Sequence, residues 1–315
     1  MISRLQKAIT LSLILVASLW ALYWLRHGHA GVAIGGAVGW LLGYTLLLSL
    51  EFVLQAHLHG EDPTPRPSPG QRLRAWSGEL AAAPRTFCWR QPFRSRVWSD
   101  RLPPSAQGKR GLLLIHGFAC NRGLWNDWLQ RLARQDRAWI ALDLEPPLGS
   151  IDLYVATIES AVQRLEIATG VAPVVVAHSM GGLAARRWWA GQQEPGRIHH
   201  LVTIATPHRG TWLARWALSP NTRQMRCDSS WLQDLATRER QSASSHCTCY
   251  YGNCDNIVFP PSRALWPGAR AIHLDAVAHV SMTARPEPWI EVQRLLRDPV
   301  PIPKQDRRVR SPSSS

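Results

Sequence analysis

The sequence predicts an α/β fold, a mostly parallel sheet covered by helices on both faces, preceded by two transmembrane helices. Three observations predict it. Two uncharged apolar runs open the chain, at residues 8–25 and 30–50. From Arg110 onward, short apolar runs alternate with amphipathic stretches. And 45% of the 315 residues are hydrophobic against 18% charged, which excludes a disordered chain.

Each opening run is about long enough to cross a hydrocarbon core as a helix. The Arg26-His27-Gly28-His29 interruption makes them a hairpin, with the second span extending to about residue 54. A cleaved signal peptide is the competing reading of the first run, but the second follows closely and no convincing small-residue cleavage site precedes it. Gly31, Gly35, Gly39 and Gly43 recur every fourth residue and line one helical face. The expected use of that face is close approach to the first span, with self-association of two chains as the rival. Arg4 and Lys7 precede the hairpin and Arg66, Arg72 and Arg74 follow it, whereas only Arg26 lies in the connection. That asymmetry places both ends, and the domain that follows, in the cytoplasm of a multi-pass protein of a bacterial inner membrane.

Residues 1–58 therefore form the membrane hairpin and 59–84 a linker, Pro-rich at Glu61–Gly70 and expected to be extended. Residues 85–298 form the main domain, and 299–315 a polar, basic, disordered tail. The formal charge of +14 raises nucleic acid as a partner. Arginine is spread along the chain rather than clustered, which argues against nucleic acid; the other readings are a genome base composition that favours arginine over lysine and a domain held against anionic lipid.

In the main domain, strands are expected at 111–116, 138–144, 171–177, 201–205, 249–251 and 271–274, and helices at 125–134, 151–168, 180–191 and 288–297. Apolar strands alternating with amphipathic helices mean a parallel sheet buried on both faces. Ser179 sits in Ala177-His178-Ser179-Met180-Gly181-Gly182, between an apolar strand and a helix. A serine there can project from a tight strand-to-helix turn, provided that Ala177 and Gly181, two residues to either side, are small. The earlier strand ends in His116-Gly117-Phe118 at the same sheet edge. Backbone N–H groups of Phe118 and Met180 can together bind an oxyanion, while the His116 side chain is read as structural.

A serine nucleophile needs a base, and the base an orienting carboxylate. Asp255 and His279 follow successive late strands, giving the chain order Ser179, Asp255, His279. The rivals are weaker: His273 lies within a strand, Asp275 just after it, and Asp228 and Asp234 in an excursion. Gly117, His178, Gly181 and His208 are read as supporting the site. The excursion, about 212–246, carries Trp212, Trp216 and Trp231 among arginines and is expected to cap the site, mobile or fixed. Cys247, Cys249 and Cys254 beside His246 match no common zinc spacing, so no metal is expected.

LLLIHGF, AHSMGGLAARRW, VTIATPHRGTWLA, CDNIVFP and AVAHV, in this order, resemble the bacterial lipase/esterase group of the α/β-hydrolase superfamily over roughly residues 85–297. The resemblance implies a Ser–Asp–His triad, an oxyanion hole from Phe118 and Met180, hydrolysis of carboxylic esters, often lipids, and no cofactor. Ala177 stands where glycine is more usual. The hairpin lies outside the catalytic fold, so location and substrate do not follow from soluble members. An acyltransferase or thioesterase would use the same triad; a catalytically silent membrane scaffold is the alternative from another class.

Overall fold

A computed structural model describes residues 1–194, 196–240 and 242–299, so nearly all of the expected tail lies outside the described residues. The N-terminal segment contains α1 (Ile2–Arg26), α2 (Ala30–Leu42), α3 (Tyr44–His57) and α4 (Pro69–Pro84). A π-helical turn, Arg85–Arg90, leads to the short α5 (Gln91–Arg94). The main domain then runs β1 (Leu112–Ile115), α6 (Asn126–Leu132), β2 (Trp139–Ala141), α7 (Val155–Thr169), β3 (Val174–His178), α8 (Met180–Ala190) and β4 (His200–Ile204). It finishes with α9 (Pro220–Gln224), α10 (Ser230–Arg238), β5 (Cys247–Gly252), β6 (Arg270–Leu274) and α11 (Pro286–Leu295).

The six strands form one sheet in the order β2-β1-β3-β4-β5-β6, and every neighbouring pair is parallel. Strand period sorts the core into two layers. Leu113 and Ile115 of β1 pack with Ile158, Val162 and Leu165 of α7 and Leu183 and Trp188 of α8 on one face. Leu112 and Leu114 pack with Trp128 and Leu129 of α6 and Val292 and Leu295 of α11 on the other. Helix α7 has apolar residues at helical spacing (Ile158, Ala161, Val162, Leu165) and stops at Gly170, whose φ of +70° is left-handed and whose N–H closes on Glu166 O at 2.7 Å. The strand order reverses at β1, flanked by β2 and β3. Open parallel sheets bind ligands outside the carboxyl ends of the strands at such a switch point.

The N-terminal segment departs from its sequence reading in three ways. Helix α1 is long and apolar enough to cross a membrane, but α2 and α3 qualify only as a pair bent by 49°. The break falls at Gly43, a residue that resists bending poorly, and Leu46 N closes on Gly43 O in a tighter turn. The glycine stripe is not the face that meets α1, because a Cβ added at Gly31, Gly35 or Gly39 touches nothing within 4 Å. Gly36 makes that approach, where an added Cβ would collide with the Trp20 ring, and Ala33 is fully buried on the same face. Finally, residues 69–84 are not extended spacer. Pro69 at the first helical position and a capping box between Ser68 and Gln71 start α4.

The segment is built into the main domain. Leu48 and Phe52 of α3 and Ala75 of α4 form one cluster with Cys254 and Ala278. Gln6 of α1 donates to Gln91 Oε1 at 2.7 Å and to Ala119 O at 3.1 Å. In the Pro-rich stretch, Asp62 accepts from Ser262 N at 3.2 Å. Beyond its first turns α1 presents Leu11, Leu15, Leu19 and Leu22 outward, each about half exposed, an apolar surface of the kind that lipid covers.

Candidate active site

Ser179 joins β3 to α8 with φ +53° and ψ −129°. A non-glycine residue with left-handed φ is uncommon, and here it lifts the serine onto the turn between strand and helix. The register Ile115↔Ala177 sets the end of β1 beside that turn. The approach is close: a Cβ on Gly117 would lie 2.7 Å from Ser179 Cβ, and one on Gly181 would lie 2.5 Å from His116 O. Small residues at both places are therefore a steric requirement. Among the described residues neither Phe118 N nor Met180 N donates a hydrogen bond. Met180 opens α8, whose first N–H groups carry the positive end of the helix dipole.

Asp255 and His279 arrive on the loops after β5 and β6 and meet in the interior. His279 Nδ1 lies 3.0 Å from each Asp255 carboxylate oxygen. Asp255 also accepts from Ile257 N at 2.9 Å and Val258 N at 2.8 Å, which fixes its rotamer. Burial disfavours a charged His279, but Asp255 beside it, with Glu79 and Glu51 further off, outweighs that and raises its pKa above 6.5. Ser179 and His279 line the same cavity of about 330 Å³, together with Gly117, Phe118 and His178.

The supporting residues separate. His116 is structural as expected: Nδ1–H donates to Gly117 O at 2.9 Å, Nε2 accepts from Leu144 N at 2.9 Å, and burial lowers its pKa. His178 Nε2 donates to His279 O at 3.2 Å, and burial with His279 close by holds it well below the ordinary histidine value. His208 does not join them. It is buried against Thr203, Cys249 and Trp266 and accepts from Arg186, which pairs with Glu239, and it does not line the cavity. The rival acids are engaged elsewhere: Asp275 accepts from Gln71, Asp228 pairs with Arg263 and Asp234 with Arg238. His273 sits against Tyr251.

The expected cap is displaced. Among the described residues of 212–246, none lines the cavity. That excursion lies against the flank, where Trp231 Nε1 donates to Asp152 at 2.9 Å. The cavity is covered by α3 and α4 instead, through Tyr44, Leu47, Leu48, Glu51, Glu79 and Ala83. These helices also hold the loops that carry Asp255 and His279. Glu79 is buried and accepts from Val280 N at 2.9 Å and Ser281 N at 3.0 Å, immediately after His279. Glu51 accepts from Asn256 Nδ2 at 2.6 Å, and Asn256 Oδ1 accepts from His279 N at 3.1 Å. Gln55 Nε2 donates to Asn253 O at 2.8 Å. A larger cavity, about 620 Å³, lies at the amino ends of the strands near Arg110, Ile198 and His199, far from this constellation.

Comparison with known proteins agrees with the architecture. Residues 112–310 match the model of the alpha/beta hydrolase family. The chain is 26% identical over 125 residues to a (lyso)-N-acylphosphatidylethanolamine lipase of Mus musculus, covering 36% of this chain and 35% of that one. It is 23% identical over 161 residues to the Homo sapiens protein of the same name, covering 46% and 43%. The chain thus spans less than half the length of these curated relatives. In fold it is similar to Bacillus licheniformis lipase BlEst2 in mature form, with a TM-score of 0.53 and 15% identity over 63% of this chain and 95% of that one. It is also similar to Aspergillus fumigatus lipase B, with a TM-score of 0.53 and 18% identity over 64% of this chain and 56% of that one. With a parallel sheet ordered about a β1 switch point, a serine on the turn after β3 and a match to most of the domain, this chain belongs to the alpha/beta hydrolase family.

Proposed function

We propose that the protein is a membrane-anchored serine hydrolase of carboxylic esters, acting on lipids. The observation that carries the proposal is the buried His279–Asp255 pair, bonded at 3.0 Å, whose histidine lines a cavity together with a serine of left-handed φ. Nδ1–H donates to Asp255, so Nε2 is the free lone pair. It takes the Ser179 proton as Oγ attacks the ester carbonyl. The oxyanion so formed is held by the N–H groups of Phe118 and Met180. Collapse of the tetrahedral intermediate breaks the bond to the alcohol, which leaves with the proton from His279. Water, deprotonated by the same imidazole, then attacks the acyl-serine, and the carboxylic acid departs as Ser179 regains its proton. Helix α1 is the anchor, and the names of the mammalian relatives favour a glycerophospholipid-like ester. The test is labelling of the full chain by a fluorophosphonate probe alongside turnover of p-nitrophenyl butyrate. Both are expected in the wild type and both should vanish in Ser179→Ala. A folded wild type that neither labels nor turns over refutes the proposal.

A further inference from the structure

A second cavity, about 750 Å³, lies between the N-terminal helices, walled by Leu13 and Trp20 of α1, Gly36, Gly39 and Trp40 of α2, and Cys88 beyond α4. It meets the catalytic cavity at a common wall, since Tyr44, Ala83 and Phe87 line both. We infer that this groove receives the distal part of the scissile acyl chain, so that the N-terminal helices set chain-length selectivity and a bilayer lipid enters the site from the membrane side. The inference rests on the esterase reading and extends it to a substrate class, long-chain acyl esters.

The chemistry of the walls selects the occupant. Trp20 Nε1 is already spent on Val32 O at 3.0 Å and Tyr44 Oη on Leu80 O at 2.6 Å. The remaining lining is almost entirely apolar, so a headgroup would enter without partners, whereas an alkyl chain gives up only water. The groove walls belong to the same helices whose outer face is apolar and exposed, which puts its mouth at the level of lipid tails. Length fits as well. The lining runs along α1 from Leu13 to Trp20, roughly 10 Å at the helical rise. An extended chain advances about 1.2 Å per bond, by analogy with about 3.6 Å for the three bonds of an extended residue, so the groove takes about eight carbons. On this inference a palmitoyl group reaches the groove and a butyryl group does not.

The experiment compares kcat/KM for p-nitrophenyl palmitate and p-nitrophenyl butyrate, using the full chain in dodecyl maltoside micelles. Gly39→Phe fills the groove where an added Cβ meets nothing within 4 Å. The palmitate-to-butyrate ratio is expected to fall at least about tenfold, the selectivity carried by roughly two buried methylenes. Ile34→Phe, on the exposed side of the same helix, is expected to leave the ratio unchanged. If Gly39→Phe accumulates poorly, Leu13→Trp narrows the groove from α1 and is expected to move the ratio the same way. A wild type that labels and turns over, with a ratio unmoved by either groove variant, overturns the groove alone. The groove is likewise overturned if Gly39→Phe disrupts a dimer while sparing the ratio, because a second copy then occupies it. A wild type that neither labels nor turns over removes the esterase reading and the groove with it.

Discussion

Replacing Glu79 by Gln isolates what α4 does for the proposed catalysis. The carboxylate uses one oxygen for Val280 N and the other for Ser281 N, at 2.9 and 3.0 Å, with almost no solvent access. Burial raises its pKa, against the pull of both amides and of His279. Glutamine keeps the shape but accepts at only one of its two terminal atoms and turns an N–H toward the other amide. One buried donor is thus left unsatisfied, costing about 1–3 kcal/mol. For a domain of this size that corresponds to a fall in Tm of roughly 2–4 °C per kcal/mol. His279 hangs between this anchor and Asn256 Oδ1, so a small shift of its loop displaces the imidazole. Misplacement on the ångström scale costs up to about a hundredfold in kcat. Glu79 is also one of the charges that raise the His279 pKa, so the acid limb of the pH–rate profile should move to lower pH in the variant. The assays are thermal unfolding of the full chain and kcat/KM on p-nitrophenyl butyrate across pH. A Glu79→Gln protein with Tm within about 1 °C of wild type and an unshifted acid limb would refute the role assigned to α4.

Two further outcomes follow from the same geometry. In the proposed mechanism neutral His279 is the base, and Asp255 raises its pKa, so wild-type kcat/KM should climb with pH through a midpoint above 6.5; Asp255→Asn should lower that midpoint and cut kcat by about 10⁴. The sign for stability is opposite to that for activity: the pair's contribution is complete below pH 6.5 and is lost as pH rises through the raised pKa, which denaturant titrations at a series of pH values would show. Away from the site, Glu239→Gln breaks the buried pair with Arg186, whose Nε and Nη2 lie 2.7 and 2.9 Å from the carboxylate, and should cost about 3–5 kcal/mol in unfolding free energy. Because that cluster does not line the catalytic cavity, kcat of the folded fraction should hold, and a kcat that falls in step with stability would contradict the separation of the two regions.

The parts legible in the sequence were those whose cause is local. Fully buried parallel strands are near-continuous apolar runs, so Leu112–Ile115 and Val174 to Ala177 announce themselves. The crowding around Ser179 demands small neighbours, and at Gly181 that demand is written within a few positions of it. The parts that could not be read are those whose partner is distant in the chain. Glu79 lies in an Ala-rich stretch and bonds to residues about 200 positions away, which no local pattern reports. One signal was available: Ser68 and Gln71 around Pro69 form a capping box, which marks the start of a helix where a spacer was expected. Likewise Glu51 and Gln55 are the polar exceptions in an apolar run, and exceptions of that kind need a buried partner. The tryptophan-rich excursion misled for the converse reason. Its amphipathic pattern reports that one face is covered, and it says nothing about which surface does the covering.

That distinction changes what counts as the working unit. The match to the alpha/beta hydrolase family begins at Leu112, yet the cavity holding Ser179 is closed on one side by Tyr44, Leu48, Glu51 and Glu79, all upstream of it. Without those helices, Cys254 and Ala278 would lose their cover from Leu48, Phe52 and Ala75. Asn253, Val280 and Ser281 would lose their bonds to Gln55 and Glu79, and these residues flank Asp255 and His279. An N-terminal segment that served only as a tether would need neither a buried carboxylate such as Glu79 nor a hydrophobic cluster shared with the loops of Asp255 and His279. Gly43 supplies the bend in this segment: before it α2 packs on α1 through Ala33 and Gly36, and after it α3 turns onto the domain with its polar residues inward. The apolar helices and the shaping of the site are thus carried by one continuous stretch of chain, which ties the position of the Asp255 and His279 loops to that of the helices proposed as the anchor.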